Sequence, residues 1–215
     1  MFENLMYEHR QSESKHKSTL LSSDADTVTT FKRRWWILLL FCCTTIQQCN
    51  NYTSFSVVFD ETNKVYGWDK KTVDIITAWG PILFIPVAII IPFIITAIGY
   101  RTSITLSAFF VCIGSIIRSI TTNDPYALYL AHSGQILNSI AGPLLLTTPQ
   151  LLSSIWFPLN ERTISTSIGV ITLYIGTLLS YVTIYFVDNN SNNLIYILRI
   201  EAFISMCTFF IILVD

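Results

Sequence analysis

The sequence predicts an all-α membrane protein with six transmembrane helices, on three observations. Of 215 residues, 52% are hydrophobic and only 13% charged, about half the charged share of a soluble domain. Six stretches reach the ~20 apolar residues needed to cross about 30 Å of hydrocarbon. Only short polar or turn-forming segments separate them: DETNKVYGWDKK, GYRT, TTNDP, WFPLNER and DNNSNN.

Residues 1–31 are polar, rich in Ser and Thr, and carry both charge signs without an apolar period. Such a segment cannot bury enough to offset chain ordering, which predicts a disordered tail. Its Leu20-Leu21 pair reads either as two apolar residues in that tail or as a sorting signal with His16 where an acid is usual. The first apolar run starts too late and runs too long for a signal peptide, so it reads as an anchor. Residues 32–215 are then a six-helix bundle, with spans at about Trp35–Val58, Val73–Ile98, Ser103–Ile120, Tyr126–Ile155, Ile164–Val187 and Leu194–Val214. SIWFPLNERTISTSIGV, from Ser154 to Val170, becomes a loop at the bilayer surface between the fourth and fifth spans.

Positive charge in short loops sets orientation. Lys32, Arg33 and Arg34 directly precede the first span and argue for a cytosolic amino terminus. Arg101 and Arg162 then fall on the cytosolic side, and Lys64, Lys70, Lys71, Arg118 and Arg199 on the other. The sides balance, so the expectation rests on the first cluster. Asn189-Asn190-Ser191 is a glycosylation triplet that this topology places on the outer or lumenal face.

Little in the sequence suits catalysis. The cysteines at 42, 43, 49, 112 and 207 show no paired metal spacing and read as soft apolar filler. There is no phosphate-cradling glycine loop, no Ser-His-Asp order and no basic stripe for nucleic acid. A non-enzyme without cofactor or nucleic-acid partner is expected.

Polar residues inside the spans are the unusual feature. TTIQQCNNYTSF places Gln47, Gln48, Asn50, Asn51 and Thr53 in the outer half of the first span, and HSGQILNSIAGP places His132, Gln135, Asn138 and Ser139 in the fourth. An unpartnered amide costs several kcal/mol in an apolar medium. Helical spacing puts Gln48, Asn51 or Tyr52, and Phe55 on one face of the first helix, and Gln135, Asn138 or Ser139, and Gly142 on one face of the fourth. The two faces either line one cavity or glue the helices together, at about 0.6 kcal/mol per bond. Pro81, Pro86 and Pro92 in the second span, and Gly142-Pro143 and Pro149 in the fourth, invite kinks. Helices broken in related places point to a transporter; the placing of the two polar helices, first and fourth of six, also suits three helices repeated twice, and the triplets share no sequence identity that proves a repeat.

KRRWWILLLF, VYGW, WGPILFIP, GQILNSIAGPLLLTTPQLLSSIWFPLNERTISTSIG and LRIEAF stand here in an order that resembles the amino-terminal half of solute carrier family 49. These are the relatives of the feline leukaemia virus subgroup C receptor within the major facilitator superfamily. The likeness runs from about Lys32 to Asp215 and is closest to the branch of the disrupted in renal carcinoma protein 2, on WGPI and AGP. It implies a twelve-helix transporter of two six-helix bundles that holds a small-molecule substrate between them and works by alternating access. This chain would supply one bundle in the lipid bilayer and need a carboxyl-terminal six-helix half from the same gene or another chain. The family implies choline, ethanolamine or haem as substrate for the receptor branch, and pyridoxine at the lysosomal membrane for the other; a lysosomal or plasma membrane location follows. By the same resemblance Tyr52 stands where relatives carry a tryptophan able to stack on a cation or flat ring. Gly142 replaces a glutamine of choline-carrying members, and Gln135 keeps a Gly-Gln pair. The expected substrate-binding set is Gln48, Asn51, Tyr52, Phe55, Trp79, Gln135, Asn138 and Ser139.

The resemblance also implies a gate. The superfamily's loop between helices two and three carries an acid, then basic residues and a glycine; ITAIGYRT keeps Gly99 and Arg101 but has Thr96 at the acid's place. Glu161 and Arg162 begin the fifth helix, with Glu161 favourably near its positive end, and could pair with Arg101; the alternative is a solvated surface turn. His132 is the one residue in the spans that titrates near neutral pH, and reads either as a proton-coupling group or as a hydrogen-bonded helix-end histidine. The alternative to transport is a non-transporting membrane scaffold or an inactive half.

Overall fold

The computed structural model describes residues 33–120, 126–187 and 193–214. The predicted tail, the TTNDP segment and the Asn189-Asn190-Ser191 triplet lie outside the described residues. Eight helices are described: α1 Arg33–Val57, α2 Phe59–Tyr66, α3 Lys70–Ile98, α4 Tyr100–Arg118, α5 Tyr126–Thr147, α6 Pro149–Trp156, α7 Arg162–Val187 and α8 Asn193–Val214. No strand occurs among them.

Among the described residues four helices are long and apolar enough to cross a membrane: α3, α4, the Arg162–Thr183 part of α7, and α8. α1 and α5 fall short because they carry the amides and hydroxyls picked out in the sequence. The fourth predicted span is also two helices. Pro149 cannot donate an intrahelical bond, so α5 stops and α6 restarts with Pro149 in its first turn.

The connections follow from local chemistry. Gly67, at φ 71, ends α2 in the left-handed conformation and donates its N–H to Asn63 O. Asp69 caps α3, its Oδ1 accepting from the Thr72 N–H at 3.1 Å and the Thr72 hydroxyl at 2.6 Å. These bonds, that from the Thr72 side chain first, hold the Asp69 carboxyl below its ordinary value. A single residue, Gly99, joins α3 to α4 at φ 82 and ψ 161, a conformation that is essentially glycine's alone. Phe157 is extended at φ −116 and ψ 140, as a residue preceding proline must be.

α1 is central, packing most extensively along α7 and touching α3, α4, α5 and α8; α4 packs along α5 and α8, and α3 along α5. Close approach uses glycines. A Cβ on Gly176 of α7 would lie 2.5 Å from Ile46 O of α1, and one on Gly114 of α4 would lie 2.8 Å from Gly134 O of α5. Two apolar clusters form the core. One gathers Phe41, Ile104, Leu145, Leu152 and Phe157; the other gathers Phe55, Trp68, Ile76, Ala131 and Leu198. The amides of α1 and α5 form a polar layer between them.

Candidate functional site: a cavity at the polar layer

A cavity of about 520 Å³ opens beside this layer, walled by α1, α3, α5 and α7. Its polar lining comes from Gln48, Tyr52 and Ser139, and its apolar lining includes Phe84, Ile85 and Leu173. Two glycines make the room. The Tyr52 ring lies directly over Gly80, where a Cβ would meet the Tyr52 hydroxyl oxygen at 2.6 Å, and Gln48 Nε2 lies 2.9 Å from where a Gly142 Cβ would stand. Tyr52 also donates its hydroxyl to Thr77 O at 3.4 Å. Ser139 Oγ is buried and has no hydrogen-bond partner. None of the cavity's lining side chains is charged. Ile85 at its rim is 68% exposed, so the wall is incomplete on that side.

Of the eight expected substrate residues, Gln48, Tyr52 and Ser139 line this cavity. The other five point elsewhere. Gln135 donates to Tyr52 O and Asn138 to Gln48 O, each at 3.2 Å, so both amides clasp α5 to the backbone of α1. Asn51 donates to Ser115 of α4 at 2.6 Å. Phe55 lies beneath the guanidinium of Arg118, 4.4 Å from ring centroid to Cζ. Trp79 donates its indole N–H to His132 Nδ1 at 3.0 Å, which links α3 to α5 and requires an imidazole unprotonated at Nδ1.

The gating set is dispersed. Thr96 donates to Pro92 O and Phe93 O of its own helix, Gly99 forms the α3–α4 link, and Arg101 is exposed at the start of α4. Glu161 pairs with Arg34 at 2.8 Å, not with Arg101. Arg162 donates to Phe157 O and Ser154 O, tying down the turn before α7.

One buried group escaped the sequence reading. Arg118, counted on the outer side at the end of the third expected span, is only 4% exposed and donates to Asn51 O at 2.6 Å and to Ser54 Oγ. It attracts the opposite charge of Glu201 on α8, whose Oε1 accepts from Asn50 at 2.7 Å. The signal was a lone acid inside the apolar run of α8, in LRIEAF. Ser115 and Ser205, 3.2 Å apart, and Gln47 with Thr208 at 2.8 Å continue the seam between α1, α4 and α8. Thr53 bonds Ser180 of α7. The five cysteines are free, and no group of three or more metal-ligating side chains occurs among the described residues.

No protein-family model matches the chain. Curated proteins do. It is 28% identical over 126 residues to the solute carrier family 49 member 4 homolog of Xenopus tropicalis, covering 58% of this chain and 27% of that protein. It is 30% identical over 142 residues to the Xenopus tropicalis solute carrier family 49 member A3, covering 61% of this chain and 30% of that protein. It is 24% identical over 135 residues to the choline/ethanolamine transporter flvcr2b of Danio rerio, covering 62% and 28% respectively. The matches thus span less than a third of these relatives' lengths. Helical, with four helices long and apolar enough to cross a membrane and with these matches, the chain is a membrane protein similar over about 60% of its length to members of solute carrier family 49.

Proposed function

We propose that the chain is the amino-terminal six-helix half of a transporter that carries a small organic solute by alternating access, whether secondary-active or facilitative. The observation that carries this reading is the cavity at the polar layer, walled by four helices and left incomplete on one side. A second six-helix bundle facing that side would complete the wall. In this reading α1 and α5 also span the bilayer, as the sheltered centre of the bundle, where their amides find protein partners and not lipid.

The lining favours a neutral, flat, hydroxylated solute of the pyridoxine kind. Tyr52 offers a ring face, Gln48 an amide and Ser139 an unpaired hydroxyl. The carboxylates of haem would find no cation among these side chains. Choline or ethanolamine, named for the Danio rerio relative, is the runner-up, through the cation–π capacity of Tyr52. A cytosolic amino terminus belongs to this reading, resting on the arginine cluster at the start of α1, since Lys64, Lys70, Lys71 and Arg199 stand on the other side. Arg33, Arg34, Arg101 and Arg162 lie at one end of the bundle, and burial withdraws Arg118 from the opposing loops. The lysosomal and plasma membranes are the two proposed locations.

The test is uptake of labelled pyridoxine and labelled choline by cells expressing the full-length protein. Tyr52→Ala removes the stacking face, and Gly80→Ala places a methyl where the Tyr52 ring sits. Each is expected to lower uptake about tenfold, the effect of ~1.4 kcal/mol, at unchanged protein abundance. Uptake equal to the parent's in both variants would remove the cavity from the transport path.

A further inference from the structure

Two prolines stand in the wall of the cavity, Pro81 of α3 and Pro143 of α5, whereas Pro86, Pro92 and Pro149 do not. A proline has no N–H, so the carbonyl four residues before it loses its intrahelical donor. Pro81 therefore releases Thr77 O, and Pro143 releases Ser139 O. In a helix that carbonyl lies along the face running from its own residue to the proline. Ser139, Gly142 and Pro143 line the cavity on α5, and Gly80 and Pro81 line it on α3. Both carbonyls thus belong to the cavity side of their helices, and the glycine next to each proline sets no side chain of its own across them.

Released carbonyls in a membrane bundle are taken up by neighbouring helices or by side chains. Thr77 O is met by the Tyr52 hydroxyl, but at 3.4 Å, longer than the about 2.5–3.0 Å of a good O–H···O bond. On α5 the Ser139 hydroxyl stands on the same residue as the other released carbonyl, 3% exposed and without a partner. A carbonyl oxygen only accepts, so its complement is an O–H or N–H of the bound molecule. An ether oxygen or a fully alkylated nitrogen brings no such hydrogen and would shield these oxygens from water without pairing them. We infer that Ser139 O and Thr77 O, with the Ser139 hydroxyl, form a backbone acceptor subsite that takes the O–H or N–H donors of the solute. The cavity then selects hydroxyl-bearing or primary-amine solutes over those whose oxygens and nitrogens are alkylated. The inference deepens the transport reading and rests on it.

The experiment is titration calorimetry of the purified full-length protein in neutral detergent, with pyridoxine and with the analogue whose two hydroxymethyl groups are methyl groups. The parent is expected to hold pyridoxine about tenfold more tightly. Pro143→Ala returns an N–H to Ser139 O, and Pro81→Ala returns one to Thr77 O. Each should lower pyridoxine affinity severalfold and leave the affinity for the analogue unchanged. Prolines that only shape the wall would shift both compounds together, and that result, or equal binding of the two by the parent, would overturn the subsite. Should one variant not fold, the other carries the test; should neither fold, the parent's preference or parity decides. Failure of the transport reading looks different: pyridoxine is bound with this preference yet not taken up by cells. If the parent binds neither compound, the solute proposed above is wrong, and ethanolamine against choline makes the same comparison, N–H donors against none on nitrogen. Equal binding of that pair, or none, overturns the subsite.

Discussion

Arg34 and Glu161, 127 residues apart, join the start of α1 to the turn before α7 through Nη2–Oε2 and Nη2–Oε1 distances of 2.8 and 3.0 Å. The guanidinium also lies over the Phe157 ring at 5.5 Å, and Trp35 meets that ring edge-on at 5.1 Å. The RRW and WFPLNER motifs thus form a single clamp. The pair is only partly exposed, at 12% and 29%, so its coupling should exceed that of a surface ion pair. Glu161→Gln is expected to cost about 1–2 kcal/mol in thermal unfolding. A double-mutant cycle with Arg34→Gln isolates the coupling, and a value near zero would reduce the clamp to ring packing.

Arg118 and Glu201 make a sharper case, because Arg118 is buried. Glu201→Ala removes the opposite charge that acts on this buried cation from α8, and is expected to destabilise by about 1 kcal/mol or more. Pairing it with Arg118→Met should recover much of that loss in the same melts. A double variant no better than the sum of the single ones would show that the two charges do not interact.

The Trp79–His132 bond supplies a pH dependence whose sign follows from its geometry. Proton uptake at Nδ1 converts the acceptor into a donor and breaks the link between α3 and α5. In full-length protein, uptake and the fluorescence component lost in Trp79→Phe should therefore change together once falling pH protonates His132. His132→Gln should flatten both profiles. Profiles that the substitution does not alter would leave His132 as a structural hydrogen-bond partner.

Asp69 titrates lower down. Its folded-state value lies below the ordinary 3.8 because Thr72 donates to the ionised carboxylate, so its contribution is complete above 3.8 and is lost as pH falls through the lower, folded value. Hydrogen exchange in the first turn of α3 should accelerate in that acid window. Asp69→Ala should exchange fast at every pH, and a variant matching the parent at neutral pH would show the cap to be idle.

The helices were legible because their cause is local. Apolar runs, Pro149, Pro158 before α7, and the Gly67 and Gly99 stops each act within a few residues. That α1 and α5 meet was legible too, from amides that lipid would not tolerate. The direction in which each amide points was not. Gln135 and Asn138 bond backbone carbonyls of α1 while Gln48 and Ser139 face open space, and composition is the same in either case. The difference lies in helix rotation, which distant contacts such as those of Gly114 with Gly134 and Gly176 with Ile46 determine. The gate implied by the resemblance offers Glu161 either Arg101 or a solvated turn, whereas the crossing of α1 against α7 delivers Arg34.

The polar layer also constrains how the protein can be made. Gln47, Asn50 and Asn51 leave the ribosome early, yet Thr208, Glu201 and Ser115, which satisfy them, emerge later. A nascent α1 released alone into lipid would leave these amides bare, each costing several kcal/mol. With α1 spanning the bilayer as proposed, its lateral exit from the insertion machinery and the packing of α8 against it become one thermodynamic event, so that biogenesis must shelter α1 until α8 has arrived.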